Sequence, residues 1–208
     1  MCGPMSRALL VPGRLPLLDG GEDKLKAGAR VLDVGCGTGL ALELMADAFP
    51  ASTYLGYDPS VRAIDTARGR FVDRDNVSVV RAGGEEVPPS ADVELVLSMD
   101  WLHDMPRPDR TLAAIRKALT DEGTLVVKEI RSSPTWAGYL KNPVLPMMYA
   151  TSVATCLSSA MSDDDTLGLG TLGLHPGRLE EFTIEAGFTR FTRHDLDDPT
   201  NIYYEVRP

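Results

Sequence analysis

The 208-residue sequence has few cysteines, few aromatic residues and no long hydrophobic run. Its three cysteines, Cys2, Cys36 and Cys156, form neither a C-x-x-C pair nor a cluster with histidine, so neither a disulfide framework nor a zinc site is indicated. The longest early apolar run, residues 8–11, is too short for a signal-peptide core or a membrane span. These absences predict a cytoplasmic protein without a membrane segment.

Basic residues are also scarce relative to acidic ones. Lys and Arg number 21 and Asp and Glu number 30, which gives a net charge of −9. An acidic chain without a basic block is a poor match for nucleic-acid phosphates, so we predict no nucleic-acid partner. With 43% hydrophobic and 25% charged residues, the composition excludes a disordered or fibrous chain and indicates a single globular domain, residues 1–208.

Apolar runs of strand length alternate with helical patterns through the first two thirds of the chain. Strands are predicted at residues 30–34, 53–57, 77–81, 93–99 and 124–130, and helices at residues 40–48, 61–71 and 108–119. The first of these helices is predicted to turn inward the side that carries Leu40, Leu44, Met45 and Ala48. A turn at residues 121–123 should lead into the fifth strand. This alternation predicts an α/β fold, a doubly wound and mostly parallel sheet with helices on both faces.

The end of the chain follows a different pattern. A helix at residues 178–186 precedes two predicted strands, residues 188–196 and 202–206, which are joined by a turn at residues 197–199. Two strands with a tight connection should pair antiparallel, which gives a seven-stranded sheet with an antiparallel C-terminal strand.

Two segments fit no simple period. Residues 1–28 form an irregular lead-in with three prolines, and residues 131–174 form an insert between the fifth strand and the last helix. The insert gathers aromatic and methionine side chains that could line a small-molecule pocket or pack the segment against the sheet. Packing against the sheet is the commoner outcome for such a segment, and a cap over an acceptor site is the functional alternative.

The strongest motif is the loop after the first strand, where residues 31–39 read Val-Leu-Asp-Val-Gly-Cys-Gly-Thr-Gly. Alternate glycines allow a sharp turn and a close ligand, and the next helix presents its free N–H groups. Asp58, about 20 residues later, ends the second strand, where an acid accepts hydrogen bonds from ribose hydroxyls. The dinucleotide motif G-x-G-x-x-G requires a third glycine where Leu40 stands. The carboxylate of Asp33 suits a ligand with an ammonium group better than a pyrophosphate.

At these residues the sequence resembles the class I S-adenosylmethionine-dependent methyltransferases, whose first motif is D/E-x-G-x-G-x-G. The resemblance covers residues 28–130 and the final strand pair, and it implies a Rossmann-like fold with S-adenosyl-L-methionine as the cofactor and S-adenosyl-L-homocysteine as the product. The implied cofactor-binding residues are Asp33, Gly35, Cys36, Gly37, Gly39, Asp58, Pro59, Gly83, Gly84, Glu85, Ser98 and Met99. In the family, the glycine loop holds the methionine part of the cofactor, and the acid that matches Asp58 binds the ribose. The segment that matches residues 83–85 contacts the edge of the adenine ring, and the segment that matches residues 98–100 lies beside the methyl group. The aspartate that the family places near residue 83 or 84 is absent here.

Methyl transfer is a direct displacement, so the protein mainly aligns the two reactants, and an oxygen or nitrogen acceptor also needs to lose a proton. His103 follows the fourth strand and is the candidate general base, and Asp100 is a second candidate catalytic residue. A packing or capping role for His103 is the alternative. No set of metal ligands and no Ser-His-Asp pattern is apparent.

A finer resemblance concerns the acceptor. Residues 102–104 (Leu-His-Asp), 170–173 (Gly-Thr-Leu-Gly) and 201–204 (Asn-Ile-Tyr-Tyr) resemble a bacterial-type subgroup of small-molecule methyltransferases. Members of that subgroup carry an N-terminal winged-helix region that helps to close the pocket. The resemblance implies a small-molecule methyl acceptor, with a second subunit in a homodimer or a partner chain completing the pocket. Two alternatives stay open: a non-catalytic S-adenosylmethionine-binding or regulatory protein, and an NAD(P)-dependent oxidoreductase.

Overall fold

A computed structural model describes residues 10–194, 196, 198 and 200–208. Seven strands form one sheet in the order β3-β2-β1-β4-β5-β7-β6. Their bounds are β1 Arg30–Val34, β2 Thr53–Asp58, β3 Val77–Arg81, β4 Val93–Met99, β5 Leu119–Ile130, β6 Arg190–His194 and β7 Asn201–Arg207. β1 to β5 pair in parallel, and β7 pairs antiparallel with both β5 and β6. The predicted doubly wound α/β fold with an antiparallel C-terminal strand is confirmed.

The helices lie between the strands and on both faces of the sheet. They are α1 Gly21–Ala27, α2 Leu40–Ala48, α3 Val61–Arg70, α4 Pro108–Ala118, α5 Trp136–Tyr139, α6 Leu145–Thr151, α7 Leu157–Ala160, α8 Gly170–Gly173 and α9 Pro176–Glu185. Their starts follow local chemistry: the hydroxyl of Ser60 accepts a hydrogen bond from the Ala63 N–H at the start of α3. At α9 the ring of His175 accepts one from the Arg178 N–H, next to Pro176 in the first turn.

Two hydrophobic clusters pack on opposite faces of the sheet, because successive side chains of a strand point to opposite sides. Val31 belongs to the cluster that α2 and α3 cover, and Leu32 belongs to the cluster that α4 and α9 cover. On α2 the prediction of the inward side is wrong: Ala41, Leu42, Met45 and Ala46 are buried, Leu40 and Leu44 are half-buried and Ala48 is exposed. Met45 is inward as predicted, but the buried side is centred on Leu42 and Met45 and completed by Ala41 and Ala46, and the prediction did not include Leu42 or these two alanines.

The structure also corrects the predicted turn before the fifth strand. Leu119 pairs with Val93 and Thr124 pairs with Leu95, so residues 120–123 stand opposite the single residue Glu94. The glycine and its polar neighbours therefore form a bulge inside β5, not a turn ahead of it. In the last hairpin β6 is shorter than predicted. Residues 197 and 199 of the predicted turn, and residues 1–9 of the lead-in, lie outside the described residues.

The insert, residues 131–174, contains α5 to α8, with a π-helical turn at Ser152–Cys156 between α6 and α7. Helices α7 and α8 contact the 3-10 turn Leu102–Asp104 that follows β4. Between residues 132 and 161 the only charged residue is Lys141. Large apolar side chains of this stretch face solvent, among them Trp136, Met147 and Val153. No helix in the described part of the chain is both long and apolar enough to cross a bilayer.

Candidate active site

The glycine loop lies at the carboxyl end of β1 and continues directly into α2. The N–H groups of Gly35 and Cys36 both donate to the Tyr57 carbonyl oxygen, at 2.8 and 3.0 Å. Gly35, Gly37 and Gly39 all adopt positive φ, at 81°, 55° and 80°. The backbone turns where two parallel strands end side by side, which is the edge at which open α/β sheets bind ligands.

The three glycines face different surroundings. A Cβ on Gly35 would lie 2.4 Å from the Trp101 ring, and a Cβ on Gly39 would lie 2.5 Å from the Phe71 ring. A Cβ on Gly37 would meet no atom within 4 Å. Gly35 and Gly39 are therefore required by packing, whereas Gly37 borders the open space above the loop. We call this space the glycine-loop cleft; it is lined by Asp33, Gly35, Cys36, Gly37, Thr38, Leu40, Ala41 and Met99.

Asp33 is the charged residue at the floor of the cleft. Its side chain is 1% exposed, and its Oδ1 atom is buried without a hydrogen-bond partner among the described residues. Burial, with a smaller contribution from the charge of Asp58, raises the pKa of Asp33 to about 7. A buried carboxylate without a donor is unfavourable, and a ligand ammonium group in the cleft would relieve that cost.

Asp58 ends β2 on the other side of the loop and is 8% exposed. Its Oδ2 accepts a hydrogen bond from the Gly37 N–H and its Oδ1 accepts one from the Ser60 N–H, both at 2.9 Å. Each carboxylate oxygen keeps a further lone pair for a ligand hydroxyl. Pro59 is exposed immediately after it and leads into α3. The structure thus places both predicted acids around one loop.

The segment after β3 explains the missing aspartate. Gly84 is buried, and a Cβ there would lie 2.6 Å from the Thr111 side chain, so no larger residue fits. The Gly83 N–H donates to Glu86 Oε1 at 2.7 Å. The exposed side chain of Glu85 folds back against Gly83: its Oε1 lies 2.6 Å from the position that a Cβ on Gly83 would occupy. Glu85 therefore brings a carboxylate to this segment where the family pattern has an aspartate.

Three other predicted contacts differ in position. Met99 lines the glycine-loop cleft, whereas Ser98 points to the opposite face of the sheet, where its hydroxyl is buried with no partner among the described residues. Cys36 packs beneath the loop: a Cβ on Gly56 would lie 2.7 Å from its Sγ, and burial raises the pKa of its thiol well above the usual range. The structure brings Met99 and Cys36 to the cleft, and places the Ser98 side chain away from it.

Asp100, a candidate catalytic residue, already has close partners. Its carboxylate forms an ion pair with Lys128 and accepts a hydrogen bond from Asn201 Nδ2 at 2.5 Å. Its backbone N–H donates to the Lys128 carbonyl oxygen at 2.7 Å, and its φ is 56°. Asp100, whose backbone is strained, connects the end of β4 with β5 and β7. These contacts are typical of a residue that positions the turn after β4.

His103 lies in the turn after β4 and is 3% exposed. Its Nδ1 is 2.5 Å from Glu129 Oε2, and its backbone N–H donates to Glu129 Oε1 at 3.3 Å. Its Nε2 is 3.3 Å from Asp104 Oδ1. Burial alone would lower the pKa of His103, but the charge and hydrogen bond of Glu129 outweigh it and raise the pKa to about 10.

Glu129 and Trp101 belong to the site although the sequence-based reasoning did not identify them. Glu129 is 2% exposed and sits beside Lys128 in the otherwise apolar run Thr-Leu-Val-Val-Lys-Glu-Ile that ends β5. Two adjacent charged residues in a buried strand are the signal that could have identified Glu129, because buried charges need partners. Trp101 gave no signal beyond its position after β4.

Comparison with known proteins finds similarity to methyltransferases. Residues 32–125 match the family model described as a methyltransferase domain. A fatty-acid O-methyltransferase of Mycolicibacterium smegmatis is 25% identical over 181 residues, which is 85% of this chain and 66% of that protein. A ubiquinone biosynthesis O-methyltransferase of Aromatoleum aromaticum is 34% identical over 107 residues, 50% of this chain and 45% of that protein.

Solved structures share the fold. The methyltransferase SibL has a TM-score of 0.69 at 19% identity, and the alignment covers 99% of this chain and 55% of SibL. The O-methyltransferase NcsB1, solved with S-adenosyl-L-homocysteine and 1,4-dihydroxy-2-naphthoic acid, has a TM-score of 0.65 at 20% identity, covering 94% of this chain and 52% of NcsB1. This chain spans about half the length of these solved relatives. This chain therefore contains a segment similar to a methyltransferase domain, in a fold that it shares with methyltransferases of known structure.

Proposed function

We propose that this chain transfers a methyl group from S-adenosylmethionine to an oxygen atom of a small-molecule acceptor. The observation that carries the proposal is the buried Asp33 Oδ1 atom, which has no hydrogen-bond partner among the described residues and borders a cleft that Gly37 leaves open. A buried acid without a donor fits the ammonium group of an amino-acid ligand. The residues present therefore fit the cofactor of the family.

The cofactor contacts follow from the placement of each group. Asp33 would hold the ammonium group, and the free N–H groups at the start of α2 would hold the carboxylate. Asp58 would accept hydrogen bonds from the ribose hydroxyls, with its orientation fixed by the N–H groups of Gly37 and Ser60. Glu85 would approach the adenine edge from the segment after β3. Met99 supplies an apolar wall at the end of β4.

The acceptor side is formed by the turn after β4. When bound, the cofactor supplies an electrophilic methyl group on a positively charged sulfur. An acceptor hydroxyl needs to lose its proton as the new bond forms, and the neutral form of His103, held at its Nδ1 by Glu129, would take it. Because the pKa of His103 is raised to about 10, this form predominates only at alkaline pH, so turnover would rise with pH. The insert packs over this turn and excludes water from it, since both members of the pair are buried. The names of the O-methyltransferase relatives favour oxygen as the acceptor atom.

Two alternatives are less well supported. An NAD(P)-dependent oxidoreductase would need a third glycine at Leu40 and a loop tolerant of pyrophosphate, whereas Asp33 would repel that group. A non-catalytic binder of the cofactor would not need a His–Glu pair buried beside the cleft.

The free thiols of Cys36 and Cys156 fit a reducing cytoplasmic compartment.

We also propose that a second copy of the chain covers the exposed apolar face of the insert. Trp136, Met147 and Val153 are 59%, 63% and 66% exposed. Apolar patches of this kind are typical of protein interfaces. Light scattering should give a dimer for the wild-type chain and a monomer for Met147→Lys. A monomeric wild type would exclude this interface.

Calorimetry tests the cofactor assignment. The purified chain should bind S-adenosylhomocysteine and S-adenosylmethionine but not NAD, and Asp33→Asn should weaken both interactions. Transfer of a labelled methyl group to a panel of phenols and carboxylic acids then tests the activity. Binding without transfer to any acceptor would favour the non-catalytic alternative, and absence of binding would overturn the proposal.

A further inference from the structure

We propose that His103, Asp104 and Cys156 form a binding site for a single zinc ion. The three residues come from two elements of the fold: His103 and Asp104 from the turn after β4, and Cys156 from the π-helical turn of the insert. Their ligand atoms all lie within 4.8 Å of one another. Asp104 and Cys156 are 52 positions apart in the chain, which explains why the sequence does not show this group as a metal site.

The separation of the nitrogen and oxygen donors matches that of two ligands of a tetrahedral ion. Zinc binds imidazole nitrogen at about 2.0–2.1 Å and carboxylate oxygen at about 2.0–2.2 Å, so two such ligands of one ion lie roughly 3.3 Å apart. His103 Nε2 and Asp104 Oδ1 are 3.3 Å apart. The longer bond from zinc to sulfur, about 2.3 Å, accommodates the Cys156 thiolate as the third ligand.

A second observation concerns the surroundings of Asp104. Its Oδ1 atom is buried, has no hydrogen-bond partner among the described residues, and lies 3.3 Å from His103 Nε2 as an ion pair. A zinc ion shared by the two atoms would take the place of the proton that this pair holds without metal. The atom thus faces the position that the ion would occupy.

The surroundings of His103 also fit a metal ligand. Zinc-bound histidines almost always donate their other ring N–H to a carboxylate or carbonyl group, which fixes the tautomer. Glu129 Oε2 lies 2.5 Å from Nδ1 and is in the correct position for this role. The mixed nitrogen, oxygen and sulfur donors favour zinc over magnesium or calcium, which prefer oxygen ligands.

The π-helical turn places Cys156 toward His103. Ser152 before it and Ala160 after it are buried, so this side of the insert helix faces the turn after β4. Cys156 itself is half-buried, which leaves a route for the ion. Three protein ligands leave a fourth position open. A zinc ion here takes the Nε2 lone pair that the proposed base needs, so the zinc-bound form would be inhibited in methyl transfer.

Metal titration of the cofactor-free protein tests the site without reference to methyl transfer. The background is the double variant Cys2→Ser, Cys36→Ser, so that Cys156 is the only thiol. After removal of metals by chelation, zinc should bind with one equivalent per chain and a dissociation constant below about 1 µM. Cobalt in place of zinc should give thiolate-to-cobalt charge-transfer absorption. S-Adenosylhomocysteine calorimetry on the chain that retains Cys36 reports the cofactor site separately.

Three variants separate a built site from adventitious binding. Adding Cys156→Ser should abolish the cobalt absorption and weaken zinc at least tenfold, and Asp104→Asn should weaken zinc similarly. Glu129→Gln should weaken it by about 10–100-fold through His103. Ser158→Ala, exposed on the same helix, is the matched control and should change nothing. Absence of stoichiometric binding, or zinc affinity that survives Cys156→Ser, would overturn the proposal whatever the cofactor result.

Discussion

Asp33 and Asp58 lie at the carboxyl ends of neighbouring parallel strands, and the charge of Asp58 contributes to the raised pKa of Asp33. Only Asp58 is satisfied by the protein, because it accepts two backbone N–H bonds while Asp33 Oδ1 accepts none. Under the proposed function, Asp58 would bind neutral hydroxyls and Asp33 a cation. The two acids would then hold opposite ends of an amino-acid nucleoside.

Cofactor affinity should depend on pH through Asp33. Its pKa is raised to about 7, and a ligand ammonium group binds the ionised carboxylate, so affinity is full above pH 8. Below pH 7 the carboxyl is increasingly protonated, and the affinity for S-adenosylhomocysteine should fall by roughly tenfold per pH unit. Calorimetry between pH 5.5 and 8.5 measures this. Asp33→Asn should bind weakly with little pH dependence, and a flat wild-type profile would remove Asp33 from the ammonium site.

Asp58→Ala should weaken S-adenosylhomocysteine binding by about 1–3 kcal/mol, because two ribose hydroxyls lose a charged acceptor. The same substitution removes the acceptor of the Gly37 and Ser60 N–H groups, so a lower melting temperature is also expected. Asp65→Ala, which is exposed on α3, serves as the control and should bind normally. Equal affinities for the two variants would contradict the ribose assignment.

Gly35→Ala and Gly37→Ala should fail in different ways. At residue 35 the new Cβ overlaps the Trp101 ring, so we expect a loss of about 2 kcal/mol or more in the free energy of unfolding. At residue 37 the Cβ meets no atom, so the cost is that of positive φ alone, about 1 kcal/mol, but the side chain enters the cleft. Gly37→Ala should therefore stay folded and lose cofactor affinity. Trp101→Ala should recover part of the stability of Gly35→Ala and none of the affinity of Gly37→Ala.

His103→Ala should lower kcat by about 10²-fold while the affinity for S-adenosylhomocysteine stays unchanged, if His103 takes the acceptor proton. Glu129→Gln keeps the shape of the pair and should lower kcat in the same direction through the orientation of the ring. His194→Ala provides the control, because His194 lies on β6 against Glu205. Steady-state kinetics on a true acceptor measure all three. A loss below about threefold for His103→Ala would assign His103 to packing.

Asp100→Asn should reduce stability more than activity. The substitution breaks the ion pair with Lys128, in which both side chains are largely buried, and we expect a loss of about 1–3 kcal/mol in the free energy of unfolding. Turnover at a temperature where the variant is folded should stay within about threefold of wild type. Denaturant melts and kinetics on one preparation decide the matter: a stable variant that loses 10²-fold in kcat would make Asp100 catalytic.

The doubly wound, mostly parallel sheet follows from the sequence because each strand is an apolar run and each connection between strands is short. β1, β3 and β4 begin and end at the predicted residues. Asp33, Asp58 and the glycine loop were also found, since each lies at a strand end where parallel topology gathers ligand contacts.

What the sequence did not show depends on contacts between distant residues. Glu129 joins His103 across 26 positions, and Cys156 reaches the same turn only through the fold of the insert. The inward side of α2 is set by small alanines that local hydrophobicity underrates. Residue 84 is glycine because the Thr111 side chain on α4 occupies the space that a Cβ would need. The sequence around residue 84 gives no sign of this contact.

The last strand has a consequence for how the molecule assembles. β7 follows β6 in the chain but lies between β5 and β6 in the sheet, and all seven of its residues are buried. In a nascent chain that stops before Asn201, the edge of β5 is unpaired. β6 then lacks β7, the strand with which it pairs in the sheet. Such an edge recruits strands from other chains. Production of shortened fragments should therefore yield aggregates, and cooperative folding should begin only after the final hairpin has been synthesised.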